Sequence, residues 1–151
     1  MARDFQRQRV FDAEDACPPG QVFWTLVGMS AFVERVTRSR WWRSRTPSGY
    51  WHMTLDSYTP RSTSEQEVYV DRRRRKIVVP LDPKTGIIIG VAEEDLLHEL
   101  AHFLTKRLGH GPEFVRSLID LTRKFHSKPT RATTLSGKLV DNGVAVKRKT
   151  K

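Results

Sequence analysis

His98, Glu99, Leu100, Ala101 and His102 set two imidazoles four residues apart, with a carboxylate beside the first. On a helix, residues four apart share one face, with Cβ atoms ~6 Å apart. Two imidazoles on that face can hold one zinc ion, each at ~2 Å. Glu99 is then within reach of a water on the ion and can take its proton. This is the arrangement of metal-assisted hydrolysis, and the spacing is a metalloprotease signature.

A third imidazole follows at His110, after an interval that includes Gly109. A helix ending at glycine lets the chain fold back and bring His110 to the open side of the same ion. Three protein ligands plus water make the catalytic zinc pattern. The expected metal ligands are therefore His98, His102 and His110, with Glu99 as the catalytic acid/base and Zn2+ as the cofactor. Iron or manganese would also suit such ligands. His110 has a second reading as a capping or loop residue. Glu113 is an alternative ligand, an acceptor for a ligand imidazole, or an acid suited to a first helical turn. Asp120 is a weaker acceptor, and Asp95 reads as surface charge. His52, on the polar side of a strand pattern, could face the cleft. His126 is expected to meet the last carbonyls of a helix. Tyr50, Tyr58 and Tyr69 each offer a phenol for a developing oxyanion. Asp82 reads as a turn residue.

These groups need elements to position them. Residues 1–20 form a lead-in closed by Pro18, Pro19 and Gly20. Residues 21–27 are a strand or buried turn, with Val22, Phe23, Trp24, Leu26 and Val27 as their apolar content. Ser30 is placed to cap a helix running to about Trp42. Trp51, Met53 and Leu55 alternate with His52, Thr54 and Asp56, a half-buried strand pattern. Val68 and Val70, then residues 77–79, give two more strands, and residues 87–89 a short one after the turn at 82–86. From Val91 the period becomes helical, and Leu96, Leu97, Leu100, Ala101, Phe103 and Leu104 form a wide stripe ending near Leu108 and Gly109. A second helix starts at Pro112, with Phe114, Leu118, Leu121 and Phe125 on its core face. The order is helix, small sheet, then two helices, which is an α+β domain rather than βαβ units. Residues 1–126 are expected to form the single catalytic domain. Residues 127–151 read as a basic extension, partly docked through Leu135, Leu139, Val144 and Val146 and partly disordered.

The chain has 151 residues, one domain's worth. One cysteine, Cys17, excludes an internal disulfide framework and a four-cysteine zinc knot. Residues 1–10 are polar and basic, unlike a signal peptide, and no apolar run approaches the ~20 residues of a membrane span. The expectation is a cytoplasmic protein without a membrane partner.

The residues from 98 to 114 read HELAH, seven residues, then HGPEF. This segment resembles a family of small uncharacterised metallohydrolases of actinobacteria and their phages. The resemblance extends to the Arg9, Val10, Phe11, Asp12, Ala13, Glu14, Asp15 opening and to the Trp41 and Trp42 region, and so covers most of residues 9–125. A broader likeness is to minimal zincin-type peptidases, the SprT-like and WLM-like groups. That likeness implies a zincin-like domain with a small sheet packed against the motif helix, and supports His98, His102, His110 and Glu99 in the roles given above. It also implies an edge strand that aligns extended substrate, for which residues 68–79 hold the best candidates. The His102-to-His110 interval is longer than in metzincins and shorter than in typical SprT-like proteins. No four-cysteine ribbon follows the motif.

The formal charge is +10, from 27 basic and 17 acidic side chains, and such a surface attracts anionic partners. Arg72, Arg73, Arg74, Arg75 and Lys76 form one block. Arg35, Arg38, Arg40, Arg43 and Arg45 form another around Trp41 and Trp42. Arginines interleaved with aromatic rings can hold nucleic acid; equally, Trp41 can belong to the core while the arginines stay solvated. Lys147, Arg148, Lys149 and Lys151 read as a mobile tail. No helix-turn-helix or RNA-reading motif is present. The leading expectation is a zinc-dependent metallopeptidase acting on a peptide or protein. The alternatives are a metal-dependent hydrolase of RNA or another non-peptide substrate, and a zinc-containing nucleic-acid-binding protein without catalysis.

Overall fold

The computed structural model describes residues 4, 6–62, 66–106 and 109–148. Leu108, Lys149 and Lys151 therefore lie outside the described residues, and so do the expected helix end at Leu108 and the last part of the tail.

Six helices and five short strands are present among the described residues, in an α+β arrangement. They are α1 (Arg7–Asp15), β1 (Val22–Phe23), α2 (Leu26–Thr37), α3 (Arg40–Arg43), β2 (Thr54–Tyr58), β3 (Tyr69–Asp71), β4 (Lys76–Pro80), β5 (Val91–Ala92), α4 (Glu93–Phe103), α5 (Pro112–Phe125) and α6 (Thr130–Asp141). One sheet has the order β2-β4-β3, with β4 parallel to β2 and antiparallel to β3. β4 is central, and its Ile77, Val78 and Val79 are buried, as an apolar run flanked on both sides should be. β1 and β5 pair separately as an antiparallel ribbon. Against this frame α2 packs on β2 and α4, α4 on α5, α5 on α6, and α6 on α1. One core runs through all of them, from Val10 and Ala13 through Met29, Trp42, Leu97 and Leu118 to Leu139.

Several boundaries differ from the sequence reading. The first long helix starts at Leu26, not at Ser30. Thr25 is its cap, its hydroxyl accepting the Gly28 N–H at 3.0 Å, and the buried stripe of Met29, Phe32, Val33 and Val36 needs that extra turn. Trp24 and Val27 are 70% and 80% exposed rather than part of a buried turn. The helix stops at Thr37, and Ser39 caps the separate short α3 that carries Trp41 and Trp42. Trp42 is fully buried and donates its indole N–H to the Tyr50 carbonyl at 2.9 Å, whereas Trp41 is half-buried. The ladder of β2 begins at Thr54, after a 3-10 turn over Ser48–Tyr50. Ile88 makes only an isolated bridge to Leu81, and the paired strand lies at Val91–Ala92. Asp82 is a turn residue, its carboxylate accepting the Lys84 N–H at 2.8 Å.

The motif helix α4 ends at Phe103, short of the expected exit at Gly109. Its last turn tightens, with Leu104 N–H donating to Ala101, and Arg72 takes the Thr105 carbonyl at 2.7 Å. Arg72 thus anchors the hairpin to α4, while Arg73, Arg74 and Arg75 form its exposed tip. α6 is not anticipated by its threonine-, serine- and glycine-containing sequence, which favours helix weakly. Tertiary burial of Ala132, Leu135 and Leu139 decides it, and Val144 joins the same core. No helix among the described residues is long and apolar enough to cross a membrane.

Candidate metal centre

α4 sets the first two imidazoles. Its buried face, with Leu96, Leu97, Leu100 and Ala101, fixes the helix rotation, and His98 and His102 follow at one-turn spacing. Gly109, at φ +100°, reverses the chain, and Gly111 and Pro112 launch α5, so His110 is held between two fixed points. A Cβ at Gly109 would also stand 3.3 Å from the Asp4 carboxylate. Ligand atoms of His98, His102 and His110 lie within 4.8 Å of one another. Phe114 lies under all three rings, with centroids 4.9, 4.4 and 4.7 Å away.

Two carboxylates that sequence reasoning missed hold the rings from behind. Glu14 of α1 meets His98 Nδ1 at 2.8 Å, and Phe11, one turn earlier, stacks on the same ring at 5.1 Å. Asp4 meets His110 Nδ1 at 2.5 Å and accepts the His110 backbone N–H at 3.1 Å; Gln6 donates to the His110 carbonyl at 2.7 Å. A carboxylate on Nδ1 keeps the ring hydrogen there and turns the Nε2 lone pair forward. The two Nε2 atoms of His98 and His110 face each other at 3.1 Å. Two nitrogens bound ~2.0–2.1 Å from one tetrahedral ion stand ~3.3 Å apart, so the donor set fits a shared cation. Phe11 and Glu14 on an amphipathic α1 were a possible signal; nothing local marks Asp4.

The titration behaviour follows from this packing. Burial alone would lower the His98 imidazole, but Glu14 outweighs it and holds His98 above its usual value. Burial, with His98 and His110 nearby, pushes His102 down to about 3. His110 is also lowered, by burial and by His98, against the opposing Asp4. Burial would raise Asp4, yet its bonds to His110 leave it below the usual carboxylate value. Glu99 is raised to about 7 by burial, against the pull of His98 and with the Glu14 and Asp95 charges adding to the rise. A carboxyl poised there is suited to moving a proton near neutral pH.

His98 and Glu99 open onto a cleft of about 510 Å³; His102 and His110 do not line it. Its walls come from α1 (Phe11, Glu14, Asp15), the residues leading into β3 (Gln66, Glu67, Val68), Pro80, and the Ile89, Gly90, Val91 and Ala92 run before α4. Asp95 is exposed, as expected of surface charge, and stands at the edge of this cleft. Its carboxyl is raised to about 6 by partial burial and by the Glu94 and Glu14 charges. Cys17 also lines the cleft, but it is buried, bonded to the Ala13 carbonyl at 3.3 Å, and burial raises its thiol, so it is no nucleophile.

Other expected residues lie elsewhere. His52 is exposed and does not line the cleft. Tyr50 packs edge-on against Phe103; Tyr58 and Tyr69 pack on each other, and Tyr58 donates to the Glu67 carbonyl at 2.7 Å, so no tyrosine lines the cleft. Asp120 pairs with Arg116 at 2.8 Å, and Glu113 lines a different groove. His126 caps the end of α5, as expected, its backbone N–H donating to the Thr122 carbonyl at 3.1 Å, but its ring turns away from the helix. Its Nδ1 accepts the Lys128 N–H at 2.9 Å, so its Nε2–H donates to Glu94 at 3.0 Å. With Glu93 accepting from Gln21 and Ser127, this buried network pins the start of α4 to the end of α5. Gly20 is required there: a Cβ would stand 2.5 Å from the His126 ring. No protein-family model, curated protein or solved structure matches the chain.

Proposed function

We propose that this chain is a zinc-dependent hydrolase of peptide bonds on a minimal zincin-like domain. One observation carries the reading: three imidazoles converge within 4.8 Å, and the residue after the first, Glu99, lines an open cleft. His98, His102 and His110 would hold the ion, with Glu14 and Asp4 fixing two of the rings. A bound metal would supply Lewis-acid polarisation of a carbonyl and a lowered pKa for water. Glu99 takes a proton from the attacking water and returns it to the leaving nitrogen. Glutamate directly after the first histidine is the feature that favours peptides over other substrates. The residues leading into β3, an edge strand, line the cleft and offer backbone along which an extended chain can lie.

The test is the metal content of purified protein together with cleavage of a mixed peptide library. Zinc bound at one equivalent, and loss of cleavage by about 10²–10⁴-fold in Glu99→Gln with the metal retained, are the expected results. A protein that binds no metal after zinc addition sinks the reading.

A second reading keeps the metal and gives it RNA. The observation favouring it is a separate basic groove beside Trp41, on whose ring Arg45 stacks at 4.2 Å. Arg116, Arg123, Lys124, Lys147 and Arg148 line the same region, and the Arg116 Nε is buried without a partner among the described residues. RNA cleavage that Glu99→Gln abolishes, with peptides untouched, would establish it in place of the first.

A further inference from the structure

The chain carries +10 overall, yet the cleft at the metal centre is lined by Glu14, Asp15, Glu67, Glu94, Asp95 and Glu99 against the single cation Arg131. Arg131 is already committed. It is buried, donates to the Pro18 carbonyl at 2.7 Å and the Glu14 carbonyl at 3.1 Å, and lies 4.0 Å from Glu94. Glu14 and Glu94 are committed too, to His98 and His126. Four carboxylates are left. Asp15, Asp95 and Glu99 form no ion pair among the described residues, and Glu67 has only an exposed, 3.7 Å contact with Arg7. They come from three separate segments: the end of α1, the run into β3, and α4. Asp15, Glu67 and Asp95 are exposed at the rim, where their charges are open to a ligand entering the cleft. Glu99, half-buried and without a hydrogen bond among the described residues, lines the same space.

The walls between these carboxylates are apolar: Pro19, Val68, Pro80, Ile89 and Val91. Aliphatic stems with charged tips fit such a surface, the stem lying on the wall and the tip reaching a carboxylate. We infer that the cleft takes extended peptide segments with lysine or arginine flanking the bond to be cut. The inference rests on the peptide-hydrolase reading and names its substrate class. Asp15 at the end of α1, Asp95 on α4 and Glu67 before β3 hold the cationic side chains. The range of this selection is short, because opposite charges in salt interact mainly within ~8 Å.

The test uses two peptides of equal length, identical except for lysine or glutamate at the positions flanking the central bond. Their affinities for Glu99→Gln protein are measured by fluorescence anisotropy, and their cleavage by the wild type is measured with zinc present. The lysine peptide is expected to bind about tenfold or more tightly, with the difference shrinking as salt rises. The triple variant Asp15→Asn, Glu67→Gln, Asp95→Asn is expected to lose most of that ratio. Glu34→Gln, outside the cleft, is expected to keep it. Equal affinities, or a ratio unchanged in the triple variant, overturn the inference even where both peptides are cleaved. Spermidine displacing the lysine peptide at equal charge would make the cleft a small-cation site and overturn it as well. Selective binding with no cleavage of any peptide leaves the charge selection standing and removes the hydrolase reading instead.

Discussion

The cleft beside the three-histidine cluster and the groove beside Trp41 share no lining residue and have opposite charge. The cleft sets six carboxylates against one guanidinium. The groove sets Arg45, Arg116, Arg123, Lys124, Lys147 and Arg148 against Glu113 and Asp120. A net charge of +10 describes neither. At physiological salt the screening length is ~8 Å, so a ligand seated in one region responds to its walls and not to the sum over the chain. The long-range field, which governs encounter, is basic; the field within the cleft is acidic. Cationic substrates would therefore be retained locally despite weak repulsion at a distance.

The sharpest way to separate the regions is Glu99→Gln. It is expected to lower peptide cleavage by about 10²–10⁴-fold while single-stranded RNA retention, read by anisotropy, stays unchanged. Parallel loss of both would join the two regions into one site. A smaller effect is expected from Glu14→Gln. It leaves the ligands in place but releases His98, so zinc affinity should fall by about 10–100-fold, read by competition with a chelating dye. Arg123→Ala with Lys124→Ala touches only the groove. It should reduce the slope of log affinity for RNA against log salt by about 1 per residue that contacts phosphate, with peptide cleavage unaltered.

The smallest expected effect concerns pH. Burial would raise Glu94, but the bond from His126, the backbone N–H groups of Glu94 and Gly20, and the Arg131 charge together outweigh this and leave it below its usual 4.5. The folded state thus binds fewer protons at this site than the unfolded chain. The resulting stability is present above 4.5 and fades as pH falls through the lower folded value. Urea denaturation of Glu94→Gln should accordingly show a shallower loss of stability in that acid window than the wild type. An unchanged profile would mean the network around His126 contributes nothing to holding α4.

The convergence of the three histidines was legible because its geometry is local. One helical turn sets His98 and His102, and a glycine and a proline bracket His110. Their supports were not legible, since Glu14 and Asp4 reach them across 84 and 106 residues of sequence. The same limit hid the partner of the His126 ring: the local rule found the Thr122 carbonyl at the helix end, and only the fold brings Glu94 to the imidazole. Strand positions at Val68–Val70 and 77–79 could be read from β-branched residues, but the parallel register of Thr54 on Lys76 could not, because it depends on which strand the chain places in the middle. The apolar content of Trp24 and Val27 misled, since exposed rings and methyls look like core residues until the fold shows which side they occupy. The acidity of the cleft had no sequence signature, because its carboxylates are scattered over residues 14–99.

Asp4 and Glu14, which brace the imidazoles, belong to one short stretch at the front of the chain, while the three histidines belong to its middle. If the three imidazoles hold zinc as proposed, ion occupancy and the seating of that stretch are linked functions, and linkage is reciprocal. Whatever factor zinc adds to the docking of residues 4–15, loosening those residues must subtract from zinc affinity. A bulky fusion or a cut near this stretch would act as a demetallating agent without touching a single ligand, and protease resistance of the stretch would report on metal loading.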